Sequence, residues 1–254
     1  MKKLFLMLLS VGILVGCSSH KVNMSDEMKI DNPIDLSKKD GADSVERQGD
    51  HEDSMYYAHP DFYNMESTDS LTILSHFQTL QQSSEWSCGV DSALMVLNYY
   101  GKLGNHTEES LAQFRTNGLS EEATSLESMI KIFEGVGGME IHSTYDYTKE
   151  EASEKINLDM IRQYLEKGIP VIVAWNDWGG HWQTIIGYDD MNTETVQDDV
   201  IIVADSYDTT DHNQDGYGII PAERFYYNWT MYDFFEKNYQ IDERDYLFIA
   251  VEPK

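Results

Sequence analysis

The stretch Gln82-Ser83-Ser84-Glu85-Trp86-Ser87-Cys88-Gly89 runs straight into an amphipathic segment. From Cys88 to Tyr100 the residues Val90, Ala93, Leu94 and Leu97 recur at helical spacing, and Gly101 supplies a stop. Cys88 therefore falls in the first turn of a predicted helix. There the positive end of the helix macrodipole favours the thiolate, the nucleophilic form of cysteine. A cysteine can also be buried as a small hydrophobe. Here, however, its neighbours are Trp, Ser and Gly in a turn, not a continuous apolar run. Gln82 is near enough in sequence to offer a side-chain N–H where an oxyanion would develop beside the thiol.

Downstream, helical patterns come first. Thr107-Glu108-Glu109 opens a second helix with acids in its first turn. Thr124-Ser125-Leu126-Glu127 reads as a capping box for a third, whose buried face is Leu126, Met129, Ile130 and Phe133. Asn157 caps a fourth that carries Met160, Ile161, Tyr164 and Leu165 and stops at Gly168. From Pro170 the pattern changes to strands, over Pro170–Trp175, Trp182–Tyr188, Val200–Ala204 and Tyr246–Val251. Helices followed by a mainly antiparallel sheet make an α+β fold. Upstream, ordered structure is expected to begin near the short strand Leu71-Thr72-Ile73-Leu74.

Two strand positions have the chemistry to complement Cys88. His181 follows the pair Gly179-Gly180 and opens an apolar strand; glycines there let backbone or substrate approach the imidazole. A lone strand histidine is as readily structural. Asp205 closes Val200-Ile201-Ile202-Val203-Ala204 and either caps a turn or, if its strand lies beside that of His181, orients the imidazole. Asp177, near the histidine, is assigned no role.

Taken in order, these residues resemble the C39-like branch of the papain-fold cysteine peptidases. That family shows a Gln six residues before a Cys-Gly at a helix start. A Gly-His follows, then an apolar strand ending Gly-Tyr-Asp, here Gly187-Tyr188-Asp189, and an Asp closing the next strand. Gly168-Ile169-Pro170-Val171-Ile172-Val173 also fits, and the likeness runs from about Leu71 to the C-terminus. It implies Cys88 as nucleophile, His181 as general base and acid, Asp205 as orienting residue and Gln82 as oxyanion-hole donor. It implies a peptide or protein substrate and no required cofactor. Val90 stands where Pro or Tyr is frequent in the family. The best-known members sit on the cytoplasmic end of peptide exporters and cut leader peptides after a double glycine, a setting not expected for this chain. Murein amidase or endopeptidase activity, a transferase using the same thioester, and a silent binding module with this fold are the alternatives. A silent copy has no chemical reason to keep all four residue types.

The N-terminus reads as an export signal over residues 1–17. Lys2-Lys3 precedes an apolar run, Leu4–Val15, that is too short to span a bilayer. Leu14-Val15-Gly16-Cys17 resembles a bacterial lipobox, which implies lipid on Cys17, a membrane anchor and a location in the cell envelope outside the cytoplasm. Residues 18–65 are polar and read as a flexible tether, leaving 66–254 as the peptidase-like domain. Cys17 and Cys88 are the two cysteines of the chain. With Cys17 acylated, Cys88 has no disulfide partner within a monomer, the expected state, and an exported free thiol is a liability unless buried or used.

The net charge of -27 becomes -29 once cleavage removes Lys2 and Lys3. So acidic a chain excludes nucleic acid and anionic membrane surfaces as partners and keeps the protein soluble. Asp211-His212-Asn213-Gln214-Asp215-Gly216 matches the first half of a calcium loop. Its twelfth position is Ala222, with Glu223 one residue late, so an acidic turn is expected there ahead of a Ca2+ site.

Overall fold

The computed structural model describes residues 28–30, 60–177, 179–208, 214–230 and 246–254. Cys17, the signal segment and Asp211–Asn213 of the candidate calcium loop lie outside them.

A short strand, β1 (Leu71–Ile73), leads through a loop to α1 (Cys88–Tyr99). Then come α2 (Glu108–Ala112), α3 (Leu126–Val136), β2 (Met139–Ser143), a single 3-10 turn, α4 (Lys149–Lys155) and α5 (Leu158–Glu166). The second half is β3 (Val171–Trp175), β4 (His181–Asp189), β5 (Val200–Ala204), β6 (Tyr217–Pro221), α6 (Ala222–Thr230) and β7 (Phe248–Pro253). The sheet runs β2-β7-β3-β4-β5-β6, every pairing antiparallel, with β1 joined to the far half of β4. The α+β expectation is borne out.

β4 is the spine because both its faces are buried and it pairs on both sides. Side chains alternate between faces along a strand. Trp182 turns towards α1, where its Nε1 donates to the Thr124 carbonyl at 2.7 Å. Gln183 turns the other way, opposite Val173 and on the face that carries Trp175, and Trp175 meets Phe225 of α6 edge-on at 5.3 Å. α1 and α6 thus cover opposite faces. α1 is buried over its first ten residues, from Cys88 to Leu97, a central helix rather than a surface one.

Several local readings shift. The cap of α3 is Ser125, whose hydroxyl accepts from the Ser128 N–H; the box expected at Thr124 starts one residue too early. Asn157 caps α5 as expected. β2 and β6 are strands the apolar-run criterion passed over. β6 contains Gly218 and Pro221, and a proline is tolerated at the end of an outer strand because no inner ladder needs its N–H. α6 follows Pro221 and runs from Ala222 to Thr230.

Within 18–65, expected as a tether, some of the described residues pack on the domain. Met28 is buried, and its carbonyl accepts from Thr79 N–H at 2.9 Å while Ile30 N–H donates back to the Thr79 carbonyl. Phe62 is buried against Tyr217 at 5.8 Å. Apolar side chains in a mostly polar stretch thus find places on the domain.

Candidate active site

Cys88 is the first residue of α1 and is 7 % exposed. Gly89 explains how the helix end reaches its place. A Cβ there would lie 2.9 Å from the Thr124 Cβ and 3.0 Å from both Met129 Sδ and Trp182 Cδ1, so a side chain would push α1 off β4. Ser87, at the N-cap, does not cap the helix; its hydroxyl donates to the Ser84 carbonyl at 3.1 Å.

His181 is the first residue of β4 and is 6 % exposed. The two glycines before it, at φ 86° and 125°, occupy left-handed backbone that permits the turn from β3. Asp205 follows the last residue of β5, next to β4 in the sheet, as the sequence argument required. Its Oδ1 lies 2.6 Å from His181 Nε2. Burial opposes charge on His181, but the Asp205 carboxylate and the Cys88 thiol outweigh it and hold the imidazolium well above the usual histidine range. Burial likewise opposes charge on Asp205, and the His181 cation together with three hydrogen-bond donors keeps its carboxyl below the ordinary aspartate value. Those donors are His181, the Tyr207 N–H at 2.8 Å and the Gln183 amide at 2.8 Å.

Gln183 escaped the sequence argument. It sits two residues after His181 on the same strand face, donates to Asp205 Oδ2, and accepts from Trp175 Nε1 at 2.6 Å. Strand alternation, which puts it on the face of His181, was the signal available in the sequence. Asp177 accepts a longer bond from the same amide at 3.3 Å, and burial raises its carboxyl above the usual value.

Gln82 is buried and joins the two halves of the cluster. Its backbone N–H donates to the Ser206 carbonyl at 2.9 Å, and its Oε1 accepts from the Ser206 hydroxyl at 2.8 Å. Its Nε2 donates to the Ser84 carbonyl at 2.8 Å. Ser206 is the residue after Asp205, so the loop before α1 is tied to the end of β5.

The wall behind Cys88 is built by Arg115. Its guanidinium lies 4.2 Å over the Trp86 ring and donates to the carbonyls of Gly118, Ser120 and Glu122 and to Thr124 Oγ1. Burial lowers its pKa to about 10, against the pull of the Cys88 thiol. This residue stitches 118–124 into the shape that receives Trp182 and Gly89. Nothing in its sequence neighbourhood sets it apart.

Among the described residues no group of three His, Cys, Asp or Glu side chains is disposed to hold a metal ion. Of the candidate calcium loop, Asp215 accepts from the Tyr217 N–H at 2.9 Å, a turn contact.

A buried thiol at a helix N-terminus, facing a buried imidazole that a carboxylate holds from behind, is suited to nucleophilic acyl transfer. The model of the Peptidase_C39 like family matches residues 74–235, and the chain belongs to that family. No curated protein matches it. A double glycine motif protease from an AMS/PCAT transporter, solved in complex with its leader peptide, is similar at 18 % identity and a TM-score of 0.39, over 70 % of this chain and 91 % of that one. The domain is therefore peptidase-like by family.

Proposed function

We propose that this chain is a thiol peptidase that cleaves peptide bonds through a thioester on Cys88. His181 Nε2 is engaged by Asp205, which leaves Nδ1 for the thiol. Nδ1 takes the Cys88 proton, and Sγ attacks the substrate carbonyl carbon. The oxyanion is met by the Cys88 backbone N–H and by a Gln82 amide that Ser206 and Ser84 hold in place. His181 then gives its proton to the leaving amine as the C–N bond breaks. Water, activated by the neutral imidazole, hydrolyses the thioester and restores the thiol. Asp205 stays ionised and stabilises the imidazolium in both halves of the cycle.

The observation that carries this reading is the 2.6 Å His181–Asp205 contact, closed off from solvent beside the buried Cys88. A peptide-library digest with wild type and Cys88→Ala side by side tests it: cleavage products are expected from the wild type alone. Purified murein in a parallel incubation separates protein cleavage from cell-wall hydrolysis. A Cys88 that resists iodoacetamide at mildly acidic pH, with no product from either substrate, would reduce the chain to a binding module.

Lipid on Cys17 would hold this activity at the outer side of a membrane. Fatty-acid labelling that disappears in Cys17→Ala is the expected result.

A further inference from the structure

The loop between Gln82 and Cys88 has a second anchor that the reaction scheme does not use. Glu108 opens α2 and is almost fully buried. Its Oε1 accepts from the Ser83 hydroxyl at 2.8 Å and its Oε2 from the Ser83 N–H at 3.4 Å. Beside it, wholly buried one turn into α1, is Asp91. Neither Asp91 oxygen has a hydrogen-bond donor in good geometry. Two carboxyl groups so close and so dry do not both ionise. The donors from Ser83 favour charge on Glu108, so the proton rests on Asp91. Burial and the neighbouring Glu108 both raise the Asp91 carboxyl well above its ordinary value, in keeping with that assignment. Burial raises Glu108 too, but its Ser83 contacts work against the rise.

We propose that Glu108 is a positioning residue: through Ser83 it fixes the loop that carries Gln82 at one end and Cys88 at the other. Ser83 adjoins Gln82, so a slack Ser83 moves the amide that meets the oxyanion. Elsewhere the loop is held through Gln82 by Ser206, through Glu85 Oε1 by the Tyr207 hydroxyl at 3.0 Å and through Trp86 by Arg115, while the Ser84 carbonyl accepts from Gln82 Nε2, Ser87 N–H and Ser87 Oγ. None of these contacts holds the Ser83 N–H or hydroxyl, and Glu108 supplies that point. Sequence reading places Glu108 as a first-turn helix acid with its charge in water; its burial against a loop 25 residues earlier is the new fact. The role in turnover rests on the peptidase reading above, whereas the clamp itself does not.

The test follows amide hydrogen exchange over 83–88 in the full chain, together with steady-state kinetics on a peptide the wild type cleaves. In Glu108→Gln, exchange in this loop should rise about tenfold while β3–β5 stay protected. Turnover should fall about tenfold or more with KM within about twofold, since substrate binding is untouched and oxyanion geometry is not. Asp91→Asn, a mimic of the protonated acid, should keep the loop protected. Loop exchange and turnover within twofold of wild type in Glu108→Gln would overturn the proposal. So would an Asp91→Asn loop as slack as that of Glu108→Gln. If Glu108→Gln does not fold, Ser83→Ala removes only the hydroxyl contact, and wild-type exchange and turnover there overturn the proposal equally. A loop loosened as expected in a protein that cleaves nothing, even as wild type, would support the clamp and sink the peptidase reading.

Discussion

The two halves of the site are mounted differently. His181 and Asp205 sit at the ends of adjacent strands, and the β4–β5 ladder fixes the distance between them. Cys88 and Gln82 sit at the two ends of a loop of serines, held by side-chain and carbonyl contacts with no ladder beneath. The strand half inherits its geometry from hydrophobic burial, since every β4 residue from His181 to Tyr188 is inside. The loop half inherits it from polar groups that must each find a partner in a dry place, where an unmet partner costs about 1–3 kcal/mol. Damage to the first half should therefore appear in chemistry with the fold intact. Damage to the second should appear in chemistry and local order together.

The largest expected effect tests whether the halves act as one unit. Cys88→Ala and His181→Ala should each lower turnover by roughly 10³–10⁶, and the double variant should be no worse than either, because each removes the same concerted proton and nucleophile chemistry. Additive losses in steady-state kinetics would mean that the thiol and imidazole work separately.

Next comes Asp205→Asn, which leaves shape intact and removes the charge behind His181. A loss of roughly 10²–10⁴ in turnover is expected. The strand half should also show it in stability. Asp205 is held below its ordinary value, so its contribution is present above about pH 4 and lost as pH falls through the lowered value. His181 is held above its ordinary value, so its contribution is full below about pH 6.5 and lost as pH rises through the raised value. Thermal melts of wild type should thus be steadiest between those limits, and Asp205→Asn should flatten both edges. Unchanged pH dependence in the variant would detach the pair from the fold.

On the loop side, Gly89→Ala should destabilise by about 1–3 kcal/mol, as overpacked sites do. The added Cβ meets Thr124 and Trp182, neither of which can swing aside as Met129 can. A melt unchanged by the substitution would show that α1 is not seated on β4 as tightly as the contact distances require.

The same contrast explains what could be read in advance. His181, Asp205 and the strands that bear them follow from apolar runs with a polar residue at one end, a pattern set by local burial. Cys88 and Gln82 were legible from helix spacing and family likeness together. Gln183 was open to reading, since it shares a strand face with His181, but a glutamine in an apolar strand carries no charge to draw notice. β2 was hidden because Met139-Glu140-Ile141-His142-Ser143 alternates without an apolar run, and β6 because Gly218 and Pro221 interrupt it. Glu108, Asp91 and Arg115 could not be read at all. Each looks like a surface charge in its own sequence, and only the packing of α2 and the 115–124 segment against α1 puts them inside.

Asp91 gives the smallest and most particular effect. A carboxyl whose value is raised in the folded state favours folding most fully below its ordinary value near pH 4 and loses that contribution as pH climbs through the raised value. The groups that face it are Glu108, Ser87 and Cys88, and both Glu108 and the thiol push it in the same direction. Asparagine there carries no ionisable proton. The difference in melting temperature between Asp91→Asn and wild type should therefore be least favourable to the variant near pH 4 and move in its favour as pH rises. In Glu108→Asn or Glu108→Gln the trend should differ, because the anion that raises Asp91 is gone while Ser83 has lost its acceptor. Parallel melting curves for Asp91→Asn and wild type across that range would place the proton elsewhere, and the loop half would then rest on hydrogen bonds to a neutral Glu108.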